Sequence, residues 1–178
     1  MDEDADSAPP EAPNFERAFA PRPEIYTAWL GLNGSIKQTM DLRRYELATL
    51  AAARRLRSTY CSLAHGSVLL EQYVGPDELL AIVADHRDAG LDEVDVAVMD
   101  VADKVAGDAT SVTEADIERL RSLGLDDGEI FEVVVAAAVR CFFSKTLDAL
   151  DVQPDAKFAA LEPRVREALT VGRPFPNG

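Results

Sequence analysis

Residues 43–66 read R-R-Y-E-L-A-T-L-A-A-A-R-R-L-R-S-T-Y-C-S-L-A-H-G. From Tyr45 to Ala53 the only charged residue is Glu46, and most of its companions are small or apolar. On a helix, Leu50 and Ala53 fall on the face of Glu46. The stretch therefore predicts a helix sunk into a core and carrying one carboxylate with it. Burial disfavours the ionised form and raises a carboxyl pKa, which suits a general acid or base. Pairing with Arg43, Arg54 or Arg57 is the plain structural alternative. Asp41 stands at an N-cap position, giving a helix from about Leu42 to Leu56.

In the second half of the quoted stretch, Ser58 can cap a further helix that runs to about Val74. Cys61 then falls in its first turn, where free backbone N–H groups and the helix dipole favour a thiolate. His65 lies four residues on, on the same face. A cysteine at a helix start with a base beside it is an activated nucleophile. The competing descriptions are a small core cysteine, a satisfied core histidine, or half of a metal site. Zinc asks for three or four ligands and only Glu46 offers a third, so no metal is expected. Ser58 either caps the helix through its hydroxyl, or fills the first position of a C-x-x-C spacing, or both.

Outward from this pair of helices the pattern stays helical. Order is expected from about Asn14. Pro23 opens a helix carrying Ile25, Tyr26, Trp29, Leu30 and Leu32, with Gly31 and Gly34 weakening its end. Gly75-Pro76 is a break, followed by a short helix from Asp77 to Arg87. Residues 93–106 place Val94, Val98, Val101 and Val105 at helical spacing. Thr113 with Asp116 marks a helix start that Gly124 closes. Asp126 begins a long helix to Leu150, whose seven apolar residues from Val133 to Val139 predict burial on several sides. Residues 155–169 predict a last helix, and 172–178 a tail. No strand period, short repeat, Gly-rich phosphate loop or nucleophile elbow is present, and no cofactor is expected. Cys141 reads as a core residue, with a resolving thiol the minor alternative. His86, flanked by charges, reads as a solvated surface residue.

Composition bounds the rest. The chain has 178 residues, of which 47% are hydrophobic, enough for one ordinary domain with a real core. No apolar run approaches the roughly 18 residues of a spanning helix, and the acidic N-terminus lacks the basic n-region and apolar h-region of a secretory signal, so none is expected. Two cysteines give no disulfide framework and suit a cytoplasmic protein. The net charge is −14. Asp2, Glu3, Asp4, Asp6 and Glu11 concentrate part of it in the first thirteen residues, which are too polar to bury surface and are expected to be disordered. The acidic body excludes nucleic acid and anionic membrane as natural partners.

The quoted stretch resembles the core of the alkylhydroperoxidase D and carboxymuconolactone decarboxylase superfamily. The family pattern is a Glu, eleven residues, then C-x-x-C-x-x-x-H. Glu46, Cys61 and His65 take the Glu, second Cys and His positions, and Ser58 stands at the first Cys. Residues 102–138 look like the second half of that fold, so the resemblance spans most of 23–152. The S-x-Y-C form is similar to the peroxidase-related subgroup. The resemblance implies an all-α domain over 14–170 and a homo-oligomer, a dimer, trimer or hexamer. It implies a hydroperoxide or lactone-like substrate. In the peroxidase branch the second Cys attacks the peroxide, the first closes a disulfide that a dithiol reopens, and Glu and His relay protons. A relay His immediately before the second Cys is replaced here by Tyr60. With Ser58 unable to form the disulfide, turnover would call on an external thiol, a neighbouring subunit or Cys141. The decarboxylase branch implies acid–base chemistry without a thiol cycle, and an oligomeric binding protein with a weakened site is the third expectation.

Overall fold

Nine consecutive residues, Tyr45 to Ala53, are all buried, and they belong to the helix about which the others are arranged. The computed structural model describes residues 12–176; 1–11, most of the acidic segment, and 177–178 lie outside the described residues. Nine α-helices follow in order: α1 (Asn14–Ala18), α2 (Pro23–Thr39), α3 (Leu42–Arg55), α4 (Thr59–Gln72), α5 (Pro76–Asp85), α6 (Glu93–Asp108), α7 (Glu114–Ser122), α8 (Asp127–Ala149) and α9 (Pro163–Leu169). Two 3₁₀ turns, Ala109–Ser111 and Ala156–Ala160, complete the described elements, and there is no strand among them. The domain is all-helical, and none of the described helices is long and apolar enough to cross a membrane.

α3 packs against α4, α6 and α8 at once. Its sequence permits this. Ala48, Ala51, Ala52 and Ala53 are short, so neighbouring backbones approach from several sides, while Leu47 and Leu50 fill the space between them with no exposed surface. The Asp41 carboxylate accepts from the Arg44 N–H at 2.8 Å and caps the helix as expected. α8 is started by a reciprocal pair: Asp126 accepts from the Glu129 N–H and Glu129 accepts from the Asp126 N–H, at 2.8 and 2.9 Å. Thr113 and Asp116 start α7 in the same way. Within 133–139, Val133, Ala136, Ala137 and Val139 are buried while Ala138 is exposed, so α8 is wrapped on more than one side but not all round.

Three expectations are corrected. Gly31 and Gly34, expected to weaken the end of α2, lie inside it, and the helix runs on to Thr39. Each glycine costs a helix roughly 1 kcal/mol against alanine. Buried Ile36, together with Trp29 stacked on Phe143 at 4.2 Å between centroids, offsets that cost. Residues 155–169 do not form one helix. Pro163 lacks an N–H and disfavours helical backbone before it, so Glu162 is extended (ψ 132°) and separates a 3₁₀ turn from α9. His86 is not solvated: its side chain is mostly covered and its Nε2 lies 2.9 Å from Asp100 Oδ1.

The α3–α4 turn fixes where the cysteine helix begins. Arg57 adopts φ 58°, the left-handed region, and the Ser58 N–H reaches back to the Ala53 carbonyl at 2.9 Å. This is the closing geometry glycine usually supplies at a helix end, here held by a non-glycine residue. The C-terminal segment braces it. A Cβ on Gly172 would overlap the Arg57 carbonyl, and the Gly172 N–H donates to Thr59 Oγ1 at 3.0 Å.

Arg54, expected as a partner for Glu46, turns away from it. Its guanidinium donates to the carbonyls of Val83 (2.6 Å) and Ala168 (2.9 Å), tying α3 to α5 and α9. Charge-assisted hydrogen bonds of this kind contribute about 1.5–3 kcal/mol. Arg54→Met should therefore lower the unfolding free energy by about 2 kcal/mol in urea titration, with the helical circular dichroism of the native state unchanged.

Candidate functional site

The site is assembled from α2, α3, α4 and α8. Glu46 is the fifth residue of α3 and is 4% exposed. Its Oε2 accepts from His65 Nδ1 of α4 at 2.6 Å, and its Oε1 lies 3.7 Å from Lys37 Nζ of α2. The arginines expected as partners lie elsewhere: Arg43 pairs with buried Asp95 of α6, Arg54 holds the two carbonyls described above, and Arg57 is exposed in the α3–α4 turn.

The hydrogen-bond pattern assigns the histidine proton. Thr49 Oγ1 donates to the Tyr45 carbonyl at 2.7 Å, so its oxygen, 3.0 Å from His65 Nδ1, is an acceptor. The Glu46 carboxylate accepts as well. The ring proton therefore sits on Nδ1, shared between Glu46 and Thr49, and Nε2 keeps its lone pair. Burial pushes the Glu46 carboxyl up, as the sequence predicts, but His65, Lys37 and Arg140 more than cancel it and hold the group below its ordinary value. Burial, with Arg140 and Lys37 nearby, holds His65 below the usual histidine range against the pull of Glu46. The pair is thus a carboxylate and a neutral imidazole.

Cys61 is the third residue of α4, in its first turn, and is 1% exposed. Its Sγ accepts from Arg140 Nη1 of α8 at 3.7 Å. Arg140 Nη2 lies 3.4 Å from Tyr45 Oη, which itself donates to Asn33 Oδ1 at 2.6 Å. Burial works against the Arg140 charge, and the Cys61 sulfur and Tyr45 oxygen outweigh it, so the cation is kept. Cys61, His65, Tyr45, Lys37 and Arg140 line one cavity of about 280 Å³, walled by Phe15, Tyr26, Trp29, Tyr60 and Phe143.

Two expected contributors sit differently. Ser58 occupies the N-cap position but its hydroxyl caps nothing. It is fully buried without a hydrogen bond of ordinary geometry, near enough to Asp148 to offset part of the upward push of burial on that carboxyl. Tyr60 lines the cavity, yet its hydroxyl donates to Asp155 Oδ2 at 2.6 Å and accepts from the Phe15 N–H at 3.4 Å. Burial and Asp155 hold that phenol well above its ordinary value, so it does not ionise. Cys141 is partly buried on α8 and does not line the cavity. No cluster of three metal-ligating side chains occurs among the described residues.

Arg140 and Lys37 are missing from the sequence-derived set. Arg140 had a signal: it is the only charge in V-V-V-A-A-A-V-R-C-F-F, the same sign that singled out Glu46. Lys37 had none, since it lies past the point where α2 was expected to end.

Residues 23–104 match the carboxymuconolactone decarboxylase family model, and this segment contains Glu46, Cys61 and His65. The fold is that of the alkylhydroperoxidase D core. A peroxidase-related protein from Ralstonia eutropha JMP134 superposes with TM-score 0.76 at 22% identity, over 83% of this chain and 79% of that one. Another from Silicibacter sp. TM1040 gives 0.77 at 22% identity over the same shares. A cysteine-to-alanine variant of the debrominase Bmp8, in complex with 2,3,4-tribromopyrrole, gives 0.75 at 14% identity over 88% and 82%. No curated protein matches the chain.

The Glu46–His65 pair should be visible in stability against pH. An unfolded histidine takes up a proton below about 6.5 and an unfolded glutamate below about 4.5, whereas in the folded protein both values are lowered. The stabilisation is complete above about pH 6.5 and is lost as pH falls. Urea midpoints should decline from pH 7 towards pH 4, and His65→Gln should flatten the upper part of that decline.

Proposed function

We propose that the chain is a one-cysteine thiol peroxidase that reduces organic hydroperoxides. The observation that carries this reading is the Arg140 guanidinium on Cys61 Sγ, a buried cation placed to hold a thiolate at a helix start. His65 Nε2 takes the thiol proton, with Glu46 fixing the ring and the tautomer. The Cys61 thiolate attacks the terminal peroxide oxygen. An S–O bond forms as the O–O bond breaks, sulfur is oxidised to the sulfenic acid, and the alkoxide leaves as the alcohol with the proton held by His65. One external thiol then condenses with the sulfenic acid, releasing water, and a second reduces the mixed disulfide. A reducing cytoplasm supplies such thiols. Neither Ser58 nor Cys141, which stands outside the cavity, is needed.

A second reading is non-redox acid–base catalysis of the decarboxylase kind. It is favoured by one feature: a neutral, carboxylate-oriented histidine whose free nitrogen is available without any use of sulfur. The likeness to a debrominase widens the halogenated and unsaturated substrates worth testing. Two variants separate these readings. Under the peroxidase reading, Cys61→Ser abolishes consumption of cumene hydroperoxide in the presence of dithiothreitol, and Glu46→Gln slows it by about 10²-fold or more. One equivalent of cumene hydroperoxide adds one oxygen to the wild-type protein at Cys61, seen by peptide mass spectrometry. Activity that survives Cys61→Ser but not Glu46→Gln assigns the chain to the second reading.

The assembly we propose is a homo-oligomer. Large apolar side chains stay exposed on α2 (Leu30, Leu32) and α8 (Phe131, Phe142). Light scattering should return a multiple of the 19.3 kDa chain mass.

A further inference from the structure

Arg140 is buried, 4% exposed, and among the described residues its hydrogen-bond partners are Cys61 and Tyr45, not a carboxylate. Its two hydrogen bonds are long, 3.7 Å to sulfur and 3.4 Å to a phenol oxygen, and its Nε has no partner. A guanidinium carries five N–H donors, and a buried donor left unpaired is costly enough to demand an explanation. A second orphan lies in the same cavity wall: the buried Trp29 Nε1 also has no acceptor. Lys37 adds a second cation to the lining. The one carboxylate at hand, Glu46, is already engaged by His65 and Lys37. So a chain of net charge −14 encloses a cavity that is locally positive and rich in donors.

We propose that this cavity binds a compact apolar carboxylate, with the anionic head on Arg140 and the hydrocarbon body against Trp29, Phe15 and Phe143. A carboxylate supplies the acceptor that Nε lacks and a second oxygen for a terminal nitrogen now held only by a long bond, the bidentate pairing guanidinium groups make with carboxylates. The volume of about 280 Å³ lies at the small end of ligand pockets, which run to roughly 1,000 Å³, so the body is small. The aromatic wall fits an alkyl or aryl group rather than a sugar or a nucleotide. As a statement of the substrate class of the Cys61 site, the inference rests on the peroxidase reading, whereas the binding itself needs no sulfur.

Calorimetric titration of the full chain with benzoate and phenylacetate, each against its neutral amide, tests it. The acids should bind saturably and at least tenfold more tightly than benzamide and phenylacetamide. Arg140→Gln should remove that preference, Arg140→Lys should keep part of it, and Trp29→Ala should weaken acid and amide alike. If neither acid binds the wild-type protein, or acids and amides bind equally, the proposal is overturned without recourse to any variant. It is equally overturned if a folded Arg140→Gln, checked by thermal unfolding, binds the acids as the wild type does. Acid binding with no oxidation of Cys61 by cumene hydroperoxide would remove the peroxidase reading alone; oxidation without acid binding would remove this inference alone.

Discussion

The hydrogen bond between Glu46 and His65 is the interaction on which the rest of the site depends. A carboxylate in a core is stable only where other groups replace its hydration, and here an imidazole N–H and a lysine ammonium do so. In return the carboxylate fixes which nitrogen of the imidazole holds the proton and which way the ring faces, while burial and the nearby cations keep the ring neutral against its pull. The bond joins α3 to α4, two packed helices connected by a three-residue turn. Strain at Arg57 and the contact between polar groups are therefore parts of one arrangement, in which the register of α4 against α3 brings Cys61 and His65 into the same cavity.

The two buried charges of the site, Glu46 and Arg140, are not paired with each other. Glu46 is balanced by His65 and Lys37, while Arg140 is left facing sulfur, a phenol oxygen and aromatic rings. The guanidinium lies over Phe143 at 5.3 Å and Trp29 at 6.0 Å, a cation–π setting that recovers part of its lost hydration. A salt bridge between the two would have given a stable but inert core. Keeping them apart on helices α3 and α8 leaves a carboxylate on the imidazole and a cation on the sulfur. The same helical frame is found in peroxidase-related proteins and in a debrominase. Such a spread of chemistries on one frame is expected when function resides in a few side chains rather than in the frame itself.

Much of this was legible in the residues. Caps at Asp41, Thr113 and Asp126 mark helix starts through their short polar side chains, and the period of the apolar residues separates helix from strand. Glu46, Cys61 and His65 stand out because polar atoms in apolar company need a reason to be there. Arg140 stands out by the same rule, but the cysteine next to it drew attention instead. Lys37 and Asn33 were not legible, because local propensity ends α2 at its glycines and only tertiary packing carries it on to Thr39. The downward direction at Glu46 was equally hidden: burial is a property of one segment, whereas the cations that reverse its effect come from α2 and α8. His86 and the break at Glu162 show the same limit in miniature, one decided by a distant Asp100, the other by a proline whose influence on its predecessor is easily read but was outweighed by the apolar pattern.

Thr59 and Tyr60, the two residues immediately before Cys61, are each held by an opposite end of the described chain. Thr59 accepts from the Gly172 N–H and donates to the Arg173 carbonyl at 2.7 Å. Tyr60 shares Asp155 with the Asn14 N–H, which lies 2.7 Å from the other carboxylate oxygen. Both extremities are therefore moored within one helical turn of the thiol. Fraying at either end would be felt at the sulfur before it reached the core, and a fusion partner joined close to either mooring would be attached, in effect, to the approach to the reactive atom.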